Sequence, residues 1–176
     1  MKRSFTSILK VSAFSALAIA PLLLSVSSAS ARPLGTDTNY VGVGVSAGLT
    51  NGGQNGDAAH LGGTLQGRYA IKNTPVSVRG AVQFTDETST IIPMISYDVP
   101  VTNNANVYVA GGYGFHEGEG KPSTMGNQNA PVVAIGAEAQ VNKNIVVFSD
   151  AKLGYKPYQN SGASSVSVQM GVGIGF

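Results

Sequence analysis

The chain holds two histidines, His60 and His116, and each has acids close by in sequence. Asp57 precedes the first, Glu117 and Glu119 follow the second, and Ser123 lies a little further on. A histidine oriented by an acid and set against a hydroxyl can drive acyl transfer or hydrolysis. Nothing in this spacing requires that geometry, and solvated loop residues account for the set more simply. His116-Glu117-Gly118-Glu119 lacks the H-E-x-x-H spacing that places two imidazoles on one helical face, so it is rejected as a ligand set. Cysteine is absent, which excludes thiolate metal or redox chemistry. The runs Gly42-Val43-Gly44 and Gly111-Gly112-Tyr113-Gly114 neither open a helix nor end in Lys-Ser/Thr, so they are not phosphate loops. No catalytic, metal or cofactor-binding residue is expected.

A second set of polar residues follows a different logic. Arg68, Arg79 and Lys152 are matched in number by Asp98, Glu138 and Asp150. A neutral sum is what a buried network requires, because a charge left unpaired in an interior is expensive. These residues form a candidate lumen charge network, read first as a structural plug and second as the lining of a narrow ion path.

The elements that must carry them show two-residue alternation, the strand signal, and no convincing helical period after Leu34. The last segment is the clearest: Val166, Val168, Met170, Val172, Ile174 and Phe176 share one face, and Ser165, Ser167, Gln169, Gly171, Gly173 and Gly175 the other. Segments beginning near Val41, His60, Val76, Thr90, Val107, Val133 and Ile145 alternate likewise. Pro93, which cannot donate to a ladder, suggests a bulge in the fourth. The count is about eight strands of roughly ten residues, the length that spans a bilayer when tilted. The apolar faces are almost free of charge, whereas Arg68, Arg79, Asp98, Glu138, Asp150 and Lys152 all lie on the small-residue faces, the reverse of a water-soluble barrel.

The N-terminus has its own signature. Met1, Lys2, Arg3 and Lys10 form a basic start, an apolar stretch of about 14 residues runs from Val11 to Leu24, and Ala29-Ser30-Ala31 is a small-residue cleavage site. The stretch is shorter than the roughly 20 residues of a spanning helix. The expected organisation is therefore a signal peptide over 1–31, a short segment over 32–38 and a barrel domain over 39–176. Cleavage takes Lys2, Arg3 and Lys10 from the 11 basic residues and none from the 9 acidic ones, so the net charge falls from +2 to −1. No basic patch remains for nucleic acid. Charged residues make up only 11% of the chain, and there are 23 glycines, too little charge for an ordinary water-facing surface.

Connections are long after the first, fifth and seventh segments and short after the second, fourth and sixth, with a shorter link at Thr85 to Thr88. That alternation, with an even strand count, is the outer-membrane pattern of periplasmic turns and outer loops. Tyr69, Tyr97 and Phe176 fall at one rim and Phe84, Phe115 and Tyr155 at the other, as two aromatic girdles, while Tyr40 and Tyr108 have the opposite parity.

With these features the chain resembles the small eight-stranded outer-membrane barrels of the OmpA transmembrane-domain and OmpX kind. The resemblance covers the whole mature chain. It implies an all-β, antiparallel up-and-down transmembrane barrel, and it implies that Gln169, Gly171, Ile174 and Phe176 serve as the C-terminal signal read by the barrel-assembly machinery. Outer-membrane lipids and the export and assembly machinery are the expected partners, with a possible extracellular ligand at the loops Thr50 to Asp57, His116 to Pro131 and Pro157 to Ala163. A monomer is expected. The functional expectation is a non-enzymatic structural and surface-interaction role in a Gram-negative-type outer membrane. The alternative is a narrow porin-like channel, and a lipid- or peptide-modifying enzyme comes third.

Overall fold

The computed structural model describes residues 34–50, 60–118 and 120–176. The signal-peptide reading, with Ala29 and Ala31, lies outside the described residues, as do Asp57 and Glu119. The strands are β1 (Tyr40–Gly48), β2 (Leu61–Ala70), β3 (Val76–Phe84), β4 (Ser89–Thr102), β5 (Ala105–His116), β6 (Ala130–Asn142), β7 (Ile145–Gly154) and β8 (Ser165–Gly175). Each pairs antiparallel with the next, and β1 pairs with β8, so the sheet closes into an eight-stranded barrel without a free edge.

Alternation in sequence becomes inside and outside in space. Val43, Ile95 and Ile135 are each over 60% exposed on the outer wall, whereas Arg79 and Lys152 are 1% exposed within it. The wall stays regular at Pro93. Gly80 faces it on β3, and the β4–β5 pairs Ile91↔Phe115 and Met94↔Gly112 keep one offset on either side. The expected bulge at Pro93 is thus absent, because losing one donor interrupts the ladder there without adding a residue. The register shifts instead between Pro100 and Thr102, close to the β4–β5 turn.

Tyr40 and Tyr108, the exceptions to the girdle pattern, belong to the interior. Tyr40 stacks on Phe148 with ring centroids 5.8 Å apart. Inward glycines make the room: a Cβ on Gly136 would come within 2.5 Å of the Tyr108 ring, and one on Gly171 within 2.4 Å of Phe148. Tyr69, Tyr97, Phe176, Phe84, Phe115 and Tyr155 all point outward and are exposed.

Both mouths are covered. At the end bearing the short turns, residues 34–39 fold across the opening as a strap, with the Gly35 amide on the Thr102 carbonyl at 3.0 Å. At the loop end the β5–β6 connection turns back inward through Ser123-Thr124-Met125-Gly126, all buried, where Gly126 adopts φ +125°. Met125 packs into an apolar interior cluster with Ile92, Met94, Tyr108 and Val132. The middle of the loop His116 to Pro131, residues 123–127, is therefore docked inward, where the whole loop was expected to project outward.

Inward glycines as sockets predict asymmetric costs. Gly136→Val should lower stability to urea by about 1 to 3 kcal/mol through overpacking. Gly80→Ala, on the outer wall where a Cβ meets nothing within 4 Å, should leave the midpoint close to wild type. Equal losses in the two variants would contradict this packing.

Candidate functional site: the lumen charge network

Arg68 and Arg79 are direct cross-strand neighbours on β2 and β3. Like charges placed opposite one another repel, so acids must stand between them. Asp98 from β4 and Glu138 from β6 do so. Arg68 lies 2.8 Å from Asp98 and 3.2 Å from Glu138, and Arg79 lies 3.0 Å from Asp98 and 2.8 Å from Glu138. Each cation thus meets both anions, and the four side chains alternate in sign.

Arg79 is saturated. Its Nε donates to Ser96, Nη1 to Glu138 and Tyr40, and Nη2 to Asp98 and Glu138. That accounts for all five guanidinium donors. Its plane also lies over the Tyr108 ring, 3.6 Å from the centroid, a cation–π contact strengthened by the burial of both side chains. Arg68 donates to Ser77 and to the carbonyls of Thr36 and Thr38, so the charge cluster holds the strap as well. Asp98 accepts from Ser77 and Ser96.

Asp150 and Lys152, two residues apart on β7, form a separate buried ion pair. Asp150 also accepts from the Tyr108 hydroxyl at 2.7 Å and from Gln169 Nε2 at 2.9 Å. The six charged residues of the candidate network therefore face the interior, in one cluster of four and one pair. The uncharged partners Tyr40, Gln66, Gln83, Ser96 and Asn106 were missed; the signal available was that each is polar at an inward position.

The residues of the C-terminal strand divide between the faces. Gln169 joins the interior network, Gly171 lies beneath Phe148, and Ile174 and Phe176 are exposed on the outer wall.

The histidines are placed apart, His60 just before β2 and His116 at the end of β5. His116 Nδ1 is 3.1 Å from the Thr90 hydroxyl and Nε2 is 2.8 Å from the Gly118 carbonyl, so both ring nitrogens are engaged. Ser123 is buried and donates to the Gly126 carbonyl at 2.7 Å. Among the described residues no group of His, Asp and Glu gathers as a metal site. Elsewhere at the loop end, Tyr158 donates to the Thr50 carbonyl at 2.9 Å. Burial pushes the Tyr158 phenol above its ordinary range, with a smaller opposing effect from the Thr50 side-chain hydroxyl 3.0 Å away.

The sequence matches no family model and no curated protein. Likeness appears in the fold. Ail of Yersinia pestis, solved in complex with the heparin analogue sucrose octasulfate, aligns with a TM-score of 0.55 at 13% identity over 79% of this chain and 98% of that one. Neisserial surface protein A aligns with a TM-score of 0.54 at 13% identity, over 78% and 97%. The N-terminal β-barrel domain of Pseudomonas aeruginosa OprF aligns with a TM-score of 0.51 at 12% identity, over 80% and 100%. The chain has the fold of the small eight-stranded outer-membrane β-barrels.

The buried pair on β7 makes a prediction about charge. Lys152→Met strands Asp150 and should destabilise the barrel by about 3 to 5 kcal/mol, whereas Lys152→Met with Asp150→Asn should recover most of that loss. Urea unfolding of the two variants in detergent measures the difference, and equal losses would show that the ion pair is not the controlling contact.

Proposed function

We propose that this protein is an outer-membrane β-barrel with a structural and surface-interaction role, exported and embedded with its short turns and termini on the periplasmic side and its longer loops outside. The observation that carries the reading is the polarity of the wall. Apolar side chains cover the outside while the charges of the strands pair within, which suits a lipid surround and would be inverted in water.

The covered mouths favour a structural role over transport. An eight-stranded barrel has an interior that side chains can fill. Here the strap closes one end and the Ser123–Gly126 turn the other, with paired charges between. The engaged ring nitrogens of His116 likewise give no support to a hydrolytic site.

The outer loops have a sign. Asp57, Asp86, Glu87, Glu117 and Glu119 outnumber Lys121 and Lys156 in the connections at that end. A neutral or basic partner suits such a surface, and a sulfated one of the kind seen with Ail does not.

Three measurements test the reading. Ile135→Arg should weaken folding into lipid vesicles by about 2 to 4 kcal/mol; a neutral outcome would mean that this wall faces water. Purified protein in a planar bilayer should give no steady conductance, and a steady current altered by Arg79→Met or Glu138→Gln would establish the channel instead. Immobilised heparin should retain none of the folded protein at physiological salt, and retention there would overturn the sign argument.

A further inference from the structure

Hydrogen bonds cross the interior from one mouth to the other, and as far as Glu138 they all run in one direction. The Thr124 hydroxyl in the docked turn donates to Gln83 Oε1 at 2.8 Å, and Gln83 Nε2 donates to Gln169 Oε1 at 3.0 Å. Gln169 Nε2 donates to Gln66 Oε1, and Gln66 Nε2 to the Tyr40 hydroxyl at 3.0 Å. Tyr40 then donates to Glu138 Oε2 at 3.1 Å. From there the links reach the strap: Asn106 Nδ2 donates both to Glu138 Oε1 at 3.2 Å and to the Thr36 carbonyl at 2.6 Å, and its Oδ1 accepts from the Thr36 amide at 3.2 Å.

The direction is imposed by the terminal carboxylate, which only accepts. Tyr40 must give its proton to Glu138 and so must accept from Gln66. The carbonyl of Gln66 is then left for Gln169, and the same argument passes up to Thr124, which must donate. Asp150, another pure acceptor on Gln169 Nε2, holds the central amide in the same sense. Every amide in the series is buried, so no bulk water stands ready to replace a lost partner, and bonds arranged head to tail reinforce one another.

We propose that this series couples docking of the Ser123–Gly126 turn to docking of the 34–39 strap, so that a partner drawing the β5–β6 loop outward loosens the strap at the opposite mouth. The barrel would then relay occupancy of its outer surface to the periplasmic side. Which mouth faces which compartment rests on the function proposed above, but the coupling does not.

The test uses purified full-length barrel folded in detergent, with no added partner. In Thr124→Val, amide hydrogen exchange in the strap should run about fivefold faster, equivalent to about 1 kcal/mol at 1.4 kcal/mol per tenfold and of the size of one hydrogen bond. Coupling is reciprocal, so Asn106→Ala should speed peroxide oxidation of buried Met125 by a similar factor while exposed Met170 reacts at its wild-type rate. With Gln66→Leu as background, Thr124→Val should add nothing further to strap exchange. A heat-dependent gel shift in each variant shows that the barrel has folded. Wild-type strap exchange in Thr124→Val together with wild-type Met125 oxidation in Asn106→Ala would overturn the proposal. So would an effect of Thr124→Val undiminished by Gln66→Leu. Neither result would bear on which way the barrel is inserted.

Discussion

Two arginines facing one another across β2 and β3 set the terms for the interior. Arg68 and Arg79 cannot share that position unless both carboxylates reach them, and Asp98 and Glu138 arrive from β4 and β6, on either side of β5. The barrel must therefore close at this diameter and register for the charges to balance. A one-residue slip in any of these strands would turn its charged side chain outward into the apolar face. Neutrality inside and grease outside are thus consequences of one register.

Volume is the second constraint, and glycine resolves it. The interior contains Tyr40, Tyr108 and Phe148 besides the charged groups, and each ring lies over a glycine whose Cβ would collide with it. The remaining openings are filled from the ends. The strap is held by Arg68 and Asn106, and the Ser123–Gly126 turn by Thr90, Gln83 and Ser167. The charge cluster therefore orders a segment outside the strands as well as the strands themselves.

Most of the fold is legible in the sequence, because a strand wall with different media on its two sides writes a period of two into every segment. Val43, Ile95 and Ile135 announce their side, and so do Arg79 and Lys152. What the alternation does not contain is register. Facing the lumen is a property of one strand, but the meeting of Arg79 with Glu138 depends on offsets between four strands. Tyr40 and Tyr108 were misfits to the girdles for a related reason: their parity is correct for the interior, and only inward glycines on neighbouring strands, Gly173 and Gly136, mark the space they fill. Non-periodic segments carried least information. The strap and the docked turn are held by scattered hydrogen bonds from several strands and one buried methionine, which leave no pattern along the chain.

The central claim is that this closed barrel lives in an outer membrane with its apolar wall against lipid. It is tested most directly by expressing the chain in a bacterium with an outer membrane, separating the membranes, and running the fractions on a detergent gel with and without boiling. The account predicts that the protein is found in the outer-membrane fraction and migrates differently after boiling, because the closed barrel resists detergent until heated. A band confined to the soluble periplasmic fraction that does not shift on boiling would contradict it.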